Sequence, residues 1–273
     1  PVGGLLAASP WLMRAKHRPQ WLPIFGAATL GYLTHGLLDA CTNYGTQLLW
    51  PFSPQRVAWH WITTIGPPLT LALLLGLVFA VRRGARMPAV LALLFSLAYV
   101  GSSAWQREQA LTAQARIAAV RGHIVDRGEM FPTVGNMLVW RSVYESGGVL
   151  HSDRIRVLGK AVVRWKPGYA YALVRESDLP AEQRAVPQVL RDFRRFSHFS
   201  DGWVAASPDD PTFLGDARYS LRTDAFAPIW GVRFHVGQIQ PTEWVDRTGR
   251  NRVPVRDLWA EIMGTAAEYR QIP

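Results

Sequence analysis

Three runs in the first 104 residues are apolar and carry no charge, and they restrict what this half of the chain can fold into more than any other feature. Trp21 to Leu38 reads WLPIFGAATLGYLTHGLL, Ile62 to Val81 reads ITTIGPPLTLALLLGLVFAV, and Met87 to Ala104 reads MPAVLALLFSLAYVGSSA. Each is about as long as a helix must be to cross hydrocarbon. Three such runs are hard to hide in a soluble core, so they read as three transmembrane helices over 21–38, 62–81 and 87–104. Trp21, Trp50, Trp59, Trp61 and Trp105 lie near the run ends, where indole rings favour the membrane interface. Pro67-Pro68 should end or kink the second helix near the membrane entrance. The fold class expected is an α-helical membrane region over 1–104, a helical linker over 105–121, and an α+β extramembrane domain over 122–273.

Charge orients these spans. The chain has 30 Lys and Arg against 20 Asp and Glu, a net +10, yet residues 1–104 contain a single acid, Asp39. Six of the seven basic residues there fall in two short loops, RAKHR at 14–18 and RRGAR at 82–86, with only Arg56 between spans one and two. Basic loops stay in the cytoplasm. Residues 42–60 and the whole C-terminal part are then expected outside, in a multi-pass protein of the bacterial inner membrane. The excess of positive charge is thus mainly a topology signal, and with no recognition motif a nucleic-acid partner is not expected. The lipid bilayer is the expected partner, together with a membrane or periplasmic protein. The lone cysteine, Cys41, excludes an internal disulfide framework and any multi-cysteine metal site. The opening PVGGLLAASPWLM is too short to cross alone and reads as the tail of an earlier apolar segment.

The polar residues inside the apolar half are the chemical signal. His35 and Asp39 are four apart, which on a helix puts them on one face about a turn apart. Asn43 continues that stripe, with Thr42 and Thr46 beside it. Ionisable groups at membrane depth are costly, so a His and an Asp at the outer end of a span mark a site. A neutral imidazole and a carboxylate can converge on a divalent metal such as Zn, although three or four ligands are needed. A structural His–Asp hydrogen bond explains the same spacing. His60, in AWHWI, can approach the same surface as a further ligand or serve as an interfacial anchor. His17, in the RAKHR loop, reads as solvated, and Cys41 as a packed small residue.

The stretch YLTHGLLDACTNYGTQLLWPFSPQRVAW, with its T-H-x-L-L-D core, resembles the bacterial inner-membrane metal-dependent hydrolase family, also described as LexA-regulated membrane-associated hydrolases. GNMLVWRSVY, FSDGW, GDARYS and FAPIWGVRF resemble the extramembrane domain of its longer members. The resemblance implies a membrane-embedded hydrolase-like protein in which His35 and Asp39 match metal ligands. Members usually carry earlier P-D-x-D-like and H-R-G-x-T-H-S-like motifs that would supply the other ligands, and neither occurs here. Where many members have Asp, this chain has His60 and Gly66.

Beyond Trp105 the sequence WQREQALTAQARIAAVR should continue the third span as a helix until Gly122. Strands are expected at Asn136 to Tyr144, Ile155 to Val163, Tyr169 to Val174, Gly202 to Ala206, Ala217 to Leu221 and Ile229 to Val236. Helices are expected at Gln188 to Phe199, with Leu190, Phe193 and Phe196 inward, and at Val255 to Tyr269. His123, His151, His198 and His235 show no metal-ligand spacing, SPDDP, GDARY and FSDGW read as turns, and no nucleophile elbow or phosphate loop occurs. Two functions follow. One is a membrane-bound metal-dependent hydrolase acting on an ester or phosphoester of a lipid or envelope substrate. The other is a non-catalytic envelope protein whose anchored periplasmic domain binds a partner or lipid.

Overall fold

The computed structural model describes residues 21–133, 135–160, 162–220, 222, 225–248, 254–266 and 268–272. The RAKHR loop, His17 and the opening apolar segment lie outside the described residues. Two compact units divide the chain, Pro1–Val100 and Gly101–Pro273.

In the first unit, the apolar runs form helices α1 (Trp21–Ala40) and α2 (Pro67–Arg83) and the start of α3 (Met87–Val120). Helix α2 begins five residues later than its apolar run, because Pro67 and Pro68 occupy its first turn, where proline lacks no needed N–H. The pair opens the helix without kinking it. Gly84, in the left-handed conformation (φ 61°), closes α2, and Arg82 and Arg83 sit in its last turn. Large apolar side chains stand exposed along all three helices, among them Leu30, Leu33, Leu71, Leu77, Leu93 and Leu97. That pattern suits hydrocarbon and is costly in water. Of the described helices, α3, at 34 residues, is long and apolar enough to cross a membrane, whereas α2 has only 17 residues.

Between α1 and α2 the chain folds back on itself. Thr46 and Val57 form an isolated antiparallel bridge, and the amides of Trp59 and Trp61 donate to the carbonyls of Ala40 and Cys41 at 2.7 and 2.9 Å. Cys41, Ile62 and Leu69 pack together beneath the stacked rings of Trp59 and Trp61.

Helix α3 runs unbroken past Ala104 to Val120, as the Ala- and Gln-rich sequence predicts, and Gly122 follows at φ 72°. Its outer part lays Ala110, Ala113 and Ile117 on a sheet against Met130, Trp140, Ile155 and Val157. That sheet contains β1 (Arg127–Pro132), β2 (Val139–Ser146), β3 (Val149–Leu158) and β4 (Val162–Lys166) in sequential antiparallel order, with β5 (Ala170–Ala172) beside the first part of β3. The single turn α4 (Ala181–Arg184) and the amphipathic α5 (Pro187–Phe199) follow. A second sheet then forms from β6 (Val204–Ala206), β7 (Phe213–Asp216), β8 (Trp230–Phe234) and β9 (Thr242–Asp246). Helix α5 buries Val189, Phe193 and Phe196 against Val204, Leu214 and Val232 of this sheet, while Leu190 is only partly covered. Phe131, Val143, Leu150 and Tyr171 meet Trp203, Ala205 and Ala217 in a third cluster joining the sheets. Helix α6 (Val255–Met263) and β10 (Arg270–Gln271), which pairs with β4, complete the unit.

The α+β expectation holds, with displaced elements. The strand expected at Ala217 to Leu221 does not form over its described residues, 217–220, and β7, which was not expected, lies before it at Phe213–Asp216, because Asp216 turns the chain: the Arg218 amide bonds its carboxylate and the Tyr219 amide its carbonyl. The strand expected at 155–163 is two strands, broken at Gly159 (φ 60°). The last helix stops at Gly264 (φ 72°), before the expected Tyr269. β1 carries Gly and charged residues, β9 carries two acids, and both lack a β-branched run, so neither was expected.

Candidate functional site

Helix α1 brings His35 and Asp39 together. Nε2 of His35 lies 3.3 Å from Oδ2 of Asp39, with side chains 67% and 43% exposed. The stripe does not run on to Asn43 and Thr46, because α1 ends at Ala40. Thr42 closes that end, its hydroxyl donating to the Asp39 carbonyl at 2.7 Å. Asn43 is buried beside it, with its Oδ1 lacking a hydrogen-bond partner, and the Thr46 amide is spent on Val57. His60 is buried too, in a left-handed backbone conformation (φ 54°) that is strained for a residue with a Cβ. The returning loop ties its neighbours Trp59 and Trp61 to the end of α1, and among the described residues His60 forms no metal-holding group with His35 and Asp39. Among the described residues no three His, Cys, Asp or Glu side chains gather in a way that could hold a metal ion. A divalent ion held by the protein needs three or four donors, so the pair falls short of fitting one.

The second unit contains polar clusters that the sequence did not announce. Arg121, just past the end of α3, donates to both Asp153 oxygens at 2.8 Å and to the Tyr144 hydroxyl at 2.9 Å. Nδ1 of His123 lies 2.8 Å from the same hydroxyl, and the His151 ring stacks on Tyr144 and sits 4.2 Å, centroid to centroid, from His123. Burial, then His123 and Arg121, holds the His151 imidazole below its usual pKa. Burial raises the Tyr144 hydroxyl, with Arg121 opposing.

A second cluster ties two of the turns together. The Arg218 guanidinium is buried, bonds both Asp216 oxygens at 2.8 and 3.0 Å, donates to the Phe199 carbonyl at 2.6 Å, and pairs with Asp201. Burial alone would lower this guanidinium, and Asp216 reverses the direction. GDARY and FSDGW are thus turns, as their sequence suggests, and also the two ends of one ion network.

A cleft of about 600 Å³ opens beside this network. Its floor is Glu145, whose side chain is 7% exposed and paired with Arg175 and Arg127. Arg127 also covers the Trp203 ring at 3.8 Å and donates to the Asp201 and Gly202 carbonyls. Arg194, paired with Glu176, and His198 of α5 line the rim. The signal for this cleft was available only as scattered arginines, because β1, β2 and α5 bring them together over long sequence separations.

No curated protein and no solved structure matches the chain. Residues 2–110 match the family described as YdjM inner membrane protein, so this part of the chain is similar to a bilayer-associated inner-membrane protein.

Proposed function

We propose that the chain is a multi-pass inner-membrane protein that displays its α+β unit outside the cytoplasm as a non-catalytic module binding a charged envelope partner. The observation that carries this reading is the cleft floored by Glu145. A buried carboxylate between two arginines is a preorganised surface of alternating charge, suited to a partner that offers the complementary pattern. A photocrosslinker placed at Ser197, on the cleft rim, in the full chain in its native membrane should give a discrete adduct, which Glu145→Arg removes. The same probe at exposed Glu182 should give none. Absence of any cleft-dependent adduct overturns the reading.

The hydrolase reading has one observation in its favour, the His35–Asp39 approach within the stretch that resembles metal-dependent hydrolases. It needs donors that the described residues do not gather. Turnover of an ester or phosphoester by the purified full chain, abolished by chelator and by His35→Ala or Asp39→Ala, would establish it in place of the binding reading.

A further inference from the structure

The geometry points to a binding site for a phosphoryl group in the basic cavity that opens between α3, the β3–β4 turn and β10, a part of the second unit that shares no lining residue with the Glu145 cleft. The cavity measures about 730 Å³ and is lined by Gln109, Thr112 and Arg116 of α3, by Lys160 and Arg164, and by Gln271. That volume falls within the roughly 300–1,000 Å³ of small-ligand sites. Three stretches far apart in sequence meet there. Gln109, Thr112 and Arg116 recur at three- and four-residue spacing and so share one side of α3, beside Ala113, which packs on the sheet. Nε2 of Gln106 donates to the Val157 carbonyl at 3.2 Å, and the Gly159 amide donates to Oε1 of the same side chain at 3.0 Å, so the turn that carries Lys160 is fastened to the same helix. β10 pairs Gln271 with Arg164, and Ile272 packs into the cluster beneath α3.

Charge selects the ligand. Arg116, Lys160 and Arg164 line the cavity, and among the described residues no acid does. The nearby acids are engaged elsewhere: Glu108 with Arg107 at 2.9 Å, Glu268 with Lys166, and Glu261 with Arg154 at 3.8 Å. Arg107 and Arg121, which flank Arg116 along the chain, have carboxylate partners in Glu129 and Asp153, whereas Arg116 and Lys160 have none among the described residues. Arg164 gives one N–H to the Gly264 carbonyl at 3.4 Å and has no carboxylate partner there either. Like charges gathered without a counter-charge repel one another, and a bound anion relieves that repulsion. Thr112 donates its hydroxyl to the Glu108 carbonyl at 3.0 Å, which leaves the Gln109 and Gln271 amides as neutral donors. The arginine fork matches the oxygens of phosphate, and lysine adds a point charge. A phosphoryl group, with its greater charge and third acceptor oxygen, suits this set of donors better than a carboxylate does. The ligand is therefore inorganic phosphate or a phosphate ester, and its source is either a soluble molecule or the headgroup of an anionic phospholipid.

Lys160 reports on the site directly, because the chain has only three lysines, Lys16, Lys160 and Lys166, and Lys166 is tied to Glu268. The full chain is acetylated at its amines in phosphate-free buffer, either in a phosphate-free detergent or in nanodiscs of phosphatidylcholine alone or mixed with phosphatidylglycerol, and the rate at each lysine is read by mass spectrometry. With a soluble source, inorganic phosphate or glycerol phosphate should slow Lys160 acetylation saturably in detergent, while chloride at equal ionic strength does not and Lys166 keeps its rate. With a lipid source, the slowing should appear in the phosphatidylglycerol discs without added phosphate and be absent from the phosphatidylcholine discs. In either case Arg116→Gln should weaken the protecting interaction roughly tenfold, and Arg116→Lys should restore part of it. An unaltered Lys166 rate in these variants shows that this edge of the sheet is still folded. Lys160 acetylation that neither phosphate nor phosphatidylglycerol slows, or a slowing that Arg116→Gln leaves intact, overturns the proposal; the second result would mean simple shielding by the disc or by salt.

Discussion

Arg218 is the side chain whose loss should cost most. Arg218→Ala leaves Asp216, which is completely buried, without its partner, and breaking a buried pair on one side typically costs about 3–5 kcal/mol. Denaturant unfolding of the full chain should show a loss of that size, and Asp216→Asn combined with Arg218→Ala should cost less than the two changes added; additive losses would mean that the pair is not coupled. His151 gives a pH dependence. Its folded pKa is depressed, so the unfolded chain takes up the proton first, and stability present above about pH 6.5 is lost as pH falls below it. Unfolding midpoints at pH 8 and pH 5.5 should differ in that direction, and His151→Gln should flatten the difference. A His151→Gln chain with the full pH slope would place the effect elsewhere. Neither residue was legible in sequence as more than a turn member or an isolated His. The His35–Asp39 approach was legible, because i, i+4 spacing on a helix is local, whereas Arg218 meets Asp201 and His151 meets His123 only after the strands have paired.

At the scale of elements, hydrophobic pattern was the reliable guide and boundaries were set by backbone chemistry. The three apolar runs became α1, α2 and the start of α3, but prolines moved the start of α2 and glycines at 84, 122, 159 and 264 set four ends. β1 stayed hidden because its Glu129 and Arg127 satisfy ion pairs with Arg107 and Glu145 and so break the apolar alternation. Helices α2 and α3 approach closely at Gly76, where a Cβ would lie 2.3 Å from the Cβ of Ala92 and 3.0 Å from the Pro88 carbonyl oxygen. Small residues allow such approach where the hydrophobic effect does not drive helices together. Gly76→Leu should force the pair apart at a cost of about 1–3 kcal/mol or more, read as an earlier midpoint when the detergent-solubilised chain is titrated with SDS. An unchanged midpoint would show that the two helices do not depend on this contact.

For the whole molecule, the charge asymmetry and the apolar runs make one statement about topology. The second unit has its own sheets and cores, and among its described residues no helix beyond α3 is long and apolar enough to cross a membrane, so in the proposed topology the crossing by α3 decides on which side it lies. That decision rests on the α2–α3 loop, where Arg82, Arg83 and Arg86 are clustered within five residues. Positive loops resist translocation, so the loop should stay in the cytoplasm and α3 should deliver the second unit outward. Alkaline phosphatase fused after Pro273 should be active and β-galactosidase at the same point inactive. Replacing the three arginines by Gln should shift part of the population, lowering phosphatase and raising galactosidase activity. An active galactosidase fusion in the unaltered chain would reverse the topology and with it the placement of the Glu145 cleft. That cleft would then face cytoplasmic partners, while the Gly76 contact and the Arg218 network, internal to their own units, would be unaffected.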